Sequence, residues 1–299
     1  MKILSFGSMN IDNTYSVDEF VQPGETMTAK NLSKFCGGKG LNQSIALASA
    51  GADVAHFGCV GEDGDILLDM LKSRGVNTDS VIKIDNITSG HAIIQVDSHG
   101  QNSILLYPGA NRRMTPELID RELEKYSCGD WLLIQNETNC LEYIIRAANK
   151  KGMKIAFNPS PMDGTVSTLP LELVDLFLVN EIEGAAVTGK EITEEITAEF
   201  EKLFPNAAVI LTLGKKGSIF KSEKDMLFQP SYCGTVKDTT GAGDTYTGFF
   251  IANYIKGVSP QECMRIAAMA STVQISRDGA AIAIPTKQEV LNALKNHCR

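Results

Sequence analysis

An alternation constrains the fold most. Short apolar runs at 3–7, 54–58, 131–135, 154–158, 176–180 and 209–213 are each bounded by Gly, Asn or Pro. Stretches with helical spacing lie between and after them, at 41–50, 66–74, 116–125, 141–150, 193–203, 245–255 and 260–276. Short strands alternating with helices predict a largely parallel central sheet covered on both faces, an α/β architecture. In such sheets ligands bind beyond the carboxyl ends of the strands. The residues just past each run, where Gly, Asn, Asp and Glu accumulate, are therefore the candidate site.

Two regions break the rhythm. Residues 13–36 and 80–107 are rich in β-formers, and 91–97 followed by 103–107 reads as a hairpin around Ser98-His99-Gly100-Gln101-Asn102. Two readings are open: a small β appendage that acts as a lid over the strand ends, or antiparallel edge strands of the main sheet. At 299 residues the chain is near the upper size for one core, so a single domain over 1–299 is expected.

Composition removes whole classes of function. With 43% hydrophobic and 21% charged residues, the chain is neither disordered nor fibrous. A net charge of −8 with no block of like charge argues against a nucleic-acid partner. No apolar stretch approaches the ~18–20 residues of a membrane span, and the apolar run at 3–7 is too short for a signal peptide. Cys36, Cys59, Cys128, Cys140, Cys233, Cys263 and Cys298 are scattered, with no C-x-x-C. That excludes a disulfide framework or zinc knuckle and predicts a reducing, cytoplasmic setting with no membrane partner.

Three glycine-rich segments carry candidate chemistry. In Asp238-Thr239-Thr240-Gly241-Ala242-Gly243-Asp244, small residues leave the backbone amides of Gly241, Ala242 and Gly243 uncovered at a helix start, an arrangement that binds anions. Asp244 is then either a general base for an attacking hydroxyl or only a helix N-terminal acid. Gly37-Gly38-Lys39-Gly40-Leu41-Asn42-Gln43 is neither a Walker A loop nor G-x-G-x-x-G. Its glycines permit close backbone approach to a ligand and Asn42 can pair with hydroxyls; taken alone, the motif reads more readily as a tight turn with an exposed lysine. Asn180-Glu181-Ile182-Glu183 and Thr212-Leu213-Gly214-Lys215-Lys216-Gly217 each follow a strand. They read either as a nucleotide path with Glu183 toward Mg²⁺, or as a helix N-cap and a β-turn.

Together these segments resemble the ribokinase branch of the PfkB sugar-kinase family. The resemblance covers nearly the whole chain and adds Gly7-Ser8-Met9-Asn10-Ile11-Asp12, Pro23-Gly24-Glu25-Thr26, Gly58-Cys59-Val60-Gly61-Glu62-Asp63, Pro108-Gly109-Ala110-Asn111 and Asn158-Pro159-Ser160-Pro161 in family order. It implies a three-layer α/β/α sandwich whose small β-sheet lid pairs with a second subunit, giving a homodimer. It implies ATP-dependent phosphorylation of the primary, 5-, hydroxyl of ribose or a similar small sugar, with Asp244 as base and the amides of Gly241, Ala242 and Gly243 as anion hole. By resemblance Asn10, Asp12, Gly38, Lys39, Asn42 and Glu137 bind the sugar. Asn180, Glu183, Thr212, Gly214 and Gly217 fall at ATP and Mg²⁺ positions. Asp238, Thr240 and backbone of the 277–283 loop, including Gly279, would hold K⁺.

Three residues depart from the family pattern: His91 where a small or apolar residue faces the sugar, Asn136 beside Glu137, and Ala283 where a hydroxyl is frequent near K⁺. A nucleoside kinase is the runner-up and would use Phe35 or His91 for stacking; Trp131 begins a core strand. A non-catalytic sugar-binding protein is the reading from another class, which the retained Asp244 and glycines oppose. A dehydrogenase fits the alternation but needs the missing G-x-G-x-x-G.

Overall fold

The computed structural model describes residues 1–297, so Cys298 lies outside the described residues. Eight strands form the central sheet, in the order Met226–Pro230, Gly217–Lys221, Ala208–Thr212, Leu176–Asn180, Lys154–Asn158, Trp131–Gln135, Ile3–Phe6 and Val54–Phe57. The six strands from Ala208–Thr212 to Val54–Phe57 are parallel. Every residue of Ile3–Phe6 and Trp131–Gln135 is buried, as expected of strands covered on both faces.

The period of two along each strand divides the core into two layers. Ile3, Leu133, Leu178 and Ile210 pack under helices Lys39–Ser49, Ala242–Tyr254 and Pro260–Ile275 through Leu41, Phe250 and Met264. Leu4, Leu132, Phe177 and Leu211 face Ile119, Ile144 and Phe200 of helices Pro116–Leu123, Leu141–Lys150 and Thr193–Leu203. Sheet order reverses at Ile3–Phe6, which pairs with Val54–Phe57 on one side and Trp131–Gln135 on the other. The crevice beyond its carboxyl end, at Gly7 and Ser8, is where such folds bind ligands.

The irregular segments build a separate four-stranded sheet, Asn31–Gly37, Asn10–Ser16, Gly90–Val96 and Asn102–Tyr107, which sets aside the edge-strand alternative. Its second strand begins at Asn10, so Asn10 and Asp12 belong to the small sheet itself. Part of 80–107 goes elsewhere: Ile82–Lys83 pairs with Cys59–Val60. The hairpin of Gly217–Lys221 and Met226–Pro230 adds two antiparallel strands at the edge of the main sheet that the sequence pattern did not announce.

Candidate active site

Two helices point their N-termini at the crevice. Helix Ala242–Tyr254 starts from Gly241 at φ 79° and helix Lys39–Ser49 from Gly38 at φ 92°, and neither has a side-chain cap. Thr115, Asn180 and Ser259, by contrast, cap their helices through side-chain oxygens. The bare start at Gly241 leaves N–H groups and the positive dipole end for an anion. At the Lys39 helix the first amides are already taken, Lys39 N–H by Glu137, Gly40 N–H by Ser8 Oγ at 3.3 Å and Leu41 N–H by the Ser8 carbonyl at 2.9 Å. Only glycine fits at position 40, where a Cβ would collide with the backbone of Gly7 and Ser8. This contact seats the Lys39 helix on the switch point.

Asp244, in the first turn of its helix, is 7% exposed. Asn42 Nδ2 and Gln43 Nε2 donate to its two carboxylate oxygens at 3.0 and 2.9 Å. Gln43 is fixed in turn: its Oε1 accepts from Gln135 Nε2 at 2.7 Å, and its Nε2 also reaches Asn158 Oδ1 at 3.0 Å. Asn158 Nδ2 donates to the Leu178 carbonyl at 2.8 Å. A chain of amides thus ties the carboxylate to three strand ends. The Asn42 Oδ1 acceptor is buried with no partner among the described residues, so a ligand hydroxyl is the natural donor for it.

Beside this lies a second polar group. Ser8 Oγ and Lys39 N–H both donate to Glu137 Oε2, the amide at 2.9 Å. Asn111 Nδ2 donates to Asn10 Oδ1 at 2.8 Å. Burial, and then the charge of Glu137, pushes the Asp12 carboxyl up to about 7. Burial also pushes Glu137 upward, against hydrogen bonds from Ser8 and Lys39. For Lys39, burial works to lower the ammonium's value, but Asp244, Glu137 and Glu183 outweigh it and hold it above the usual lysine range. The lysine is therefore the charged hub that joins both polar groups to the cleft.

That cleft, about 300 Å³, brings Lys39, Asn180, Glu183, Thr212 and Gly214 together with Gly241, Ala242, Gly243 and Asp244. Gly217 is not in its lining. At φ 126° it opens the edge hairpin, where a Cβ would strike the Gln229 carbonyl. Asn180 and Glu183 form a reciprocal capping box at 3.0 and 2.8 Å, so the N-cap reading holds while both still face the cleft. Mg²⁺ commonly uses one or two carboxylates plus water and phosphate, and Glu183 with its remaining oxygen fits that demand.

The loop expected to take K⁺ fits poorly. Asp238 accepts from Thr240 N–H at 2.8 Å and Gly279 N–H at 3.0 Å. The Thr240 and Gly279 carbonyls, offered as ligands, instead accept from Gln274 Nε2 at 2.5 and 3.3 Å. Ala283 supplies no side-chain oxygen there. Two other expectations need correction. Cross-strand register aligns His91 with Ile11 and Tyr107, whereas Asp12 aligns with Phe35, Ala92 and Leu106. Since faces alternate along a strand, Ala92 shares the Asp12 face and His91 points the other way, against the Tyr107 ring. Asn136 turns from the crevice to donate to the Pro161 carbonyl and Asp163, pinning a loop.

An α/β fold with its switch point at a bare helix start, a buried carboxylate beside that start and a polar cleft of this size defines a phosphoryl-transfer class of enzyme. The family model described as pfkB family carbohydrate kinase matches residues 1–287, and the chain belongs to that family. It is 33% identical to a ribokinase of Haemophilus influenzae, over 97% of each chain. The structure resembles a Thermotoga maritima ribokinase at 31% identity and TM-score 0.88, covering 98% of this chain and 99% of that one. It also resembles an Arabidopsis thaliana ribokinase complexed with ribose and ATP, at 29% identity and TM-score 0.85 over 98% of each. Among the described residues no helix is long and apolar enough to cross a membrane.

Proposed function

We propose that this chain transfers the γ-phosphoryl group of ATP to the primary, 5-, hydroxyl of D-ribose or a closely similar sugar. The observation that carries this reading is Asp244, a buried carboxylate held by Asn42 and Gln43 next to the uncovered amides of Gly241 and Gly243. A carboxylate so placed has one useful task in phosphoryl transfer: it accepts the proton of the attacking hydroxyl as the phosphoryl arrives. The amides of Gly241 and Gly243 take up the charge that develops on the transferred group, at no reorganisation cost. The Ala242 N–H, expected beside them, instead donates to the Thr239 carbonyl at 3.2 Å. Lys39 adds a positive charge at the same end of the cleft.

In this reading Asn10, Asp12, Asn42 and Glu137 pair with the sugar hydroxyls, while Gly38 lets the backbone approach them. Asn180, Thr212 and Gly214 line the nucleotide's path. Mg²⁺, when bound with ATP, neutralises phosphate charge, and Glu183 would hold it through water. The four-stranded sheet acts as a lid and as a homodimer contact, for which exposed Leu32, Ile93 and Leu105, on the face away from Asp12, supply the apolar surface. The Arabidopsis relative solved with ribose and ATP supports the substrate choice.

Phe35 shares the Asp12 face and is 40% exposed, a stacking surface that favours nucleosides as the second reading. An assay of ADP release across pentoses, ketohexoses and nucleosides separates the two. Ribose is expected to give the highest kcat/KM; a nucleoside ahead of ribose would move the function to the second reading, and no acceptor-dependent ADP would reject both.

A further inference from the structure

The site that the family fold reserves for a monovalent cation is filled here by a side chain. Gln274 is fully buried near the end of helix Pro260–Ile275, and its Nε2 reaches the carbonyls of both Thr240 and Gly279. Its orientation is fixed by those neighbours, because the reversed amide would set Oε1 against two carbonyl oxygens. The Oε1 atom is left buried without a partner among the described residues. Such an orphan is unusual and costs stability, so the position is held for what the nitrogen does. A cation at the same carbonyls would meet the two N–H groups that already occupy them.

We infer that the Gln274 carboxamide replaces the monovalent cation, bracing the anion hole so that the enzyme needs no K⁺. Thr240 C=O and Gly241 N–H belong to one trans peptide, and in such a unit the two bonds point in opposite directions. A donor that anchors the Thr240 carbonyl toward Gln274 therefore aims the Gly241 N–H away from it, toward the cleft that Gly241 lines. Asp238 closes the other side, accepting from Thr240 N–H and Gly279 N–H. Its carboxyl is opposed by burial, yet those hydrogen bonds hold it below the usual carboxylate value. Loop and helix end are thus cross-linked through neutral donors. Gln274 touches neither sugar nor nucleotide residues; it is a positioning residue that acts through one peptide plane.

The inference rests on the kinase reading for its kinetic arm only, because melting needs no turnover. The full-length protein and Gln274→Ala are compared in K⁺ and in tetramethylammonium at equal ionic strength and fixed Mg²⁺. The parent protein is expected to show the same kcat with ribose, and the same melting temperature, in both salts. Gln274→Ala opens the Thr240 and Gly279 carbonyls to an ion. In tetramethylammonium its kcat should fall roughly tenfold, the scale of two neutral hydrogen bonds, with the sugar KM unchanged. Potassium should restore the rate and raise the variant's melting temperature. Gln274→Ser serves as the second variant, with the same expectation. Activation or thermal stabilisation of the parent protein by K⁺ would overturn the inference. So would variants that respond identically to both salts, since Gln274 would then only pack. Should ribose turnover itself be absent, the melting comparison still decides.

Discussion

The two halves of the crevice are built differently. Around Asp244 the protein is closed: the side chain is 7% exposed, and an amide chain from Gln43 to Gln135, Asn158 and the Leu178 carbonyl fixes it from three strands. Over Asp12 the small sheet is open. All six residues of Asn102–Tyr107 are exposed, and Leu106, which shares the Asp12 face, is 46% exposed. In the proposed reading, the phosphoryl-transfer end is organised before substrate arrives, which electrostatic catalysis requires. The sugar end is left for ligand hydroxyls and a covering surface to complete. In that reading chemistry thus lies at a helix start fixed to the main sheet and selection on the appendage.

The largest expected effect comes from breaking the closed half. Asp244→Asn should lower kcat by ~10²–10⁴-fold, the usual worth of general-base catalysis, with ribose and ATP affinities measured by calorimetry preserved. Near-normal kcat would remove Asp244 from the mechanism. Gln43→Leu leaves the base in place but deletes one of its charged hydrogen bonds and strands Gln135. A kcat loss of about 10–100-fold is expected from that deletion, with little change in either KM. A sugar KM effect of similar size would instead make Gln43 part of the pocket.

Breaking the open half should act on binding. Asp12→Ala is expected to raise the sugar KM about tenfold while the ATP KM stays within twofold, because a carboxylate can accept from two neighbouring hydroxyls. Burial and Glu137 lift this carboxyl from 3.8 to about 7, so it carries a proton on the acid side and gains acceptor strength above. The kcat/KM for ribose should therefore climb as pH passes through about 7, and Asp12→Asn should flatten that part of the profile. The stability sign is opposite. The native state binds the extra proton between 3.8 and about 7, so Asp12's contribution is present below this window, lost as pH rises through it, and level beyond. The smallest change in turnover is expected from Leu105→Glu, which charges the exposed strand. Sedimentation velocity should show the parent as a dimer and the variant as a monomer, with sugar KM altered only about twofold to fivefold, the scale of a modest packing loss.

What could be read from sequence follows the same division. The six parallel strands were legible because strands buried on both faces are continuous apolar runs. The Gly217–Lys221 hairpin was hidden because Lys216 and Gly217 look like a turn, which they are, and the strand after them begins at once. The eight-residue helix Glu181–Thr188 was visible only through its cap. Asp244 and its glycines stand in one contiguous motif, so their neighbourhood could be read from the sequence. Gln135 and Gln274 were not, since each acts on residues far along the chain: Gln135 on Gln43, and Gln274 on Thr240, which is 34 positions away. His91 was misplaced by one strand position, which is enough to change its face.

The central claim is that the buried carboxylate activates the primary hydroxyl of a pentose against ATP. Phosphorus NMR of the product formed from ATP and ribose tests it most directly. A single new sugar phosphate ester is predicted, its signal split into a triplet by the methylene protons of the primary carbon, and absent when Asp244→Asn replaces the parent enzyme. An ester on the anomeric oxygen, or ADP and inorganic phosphate with no ester at all, would contradict the account.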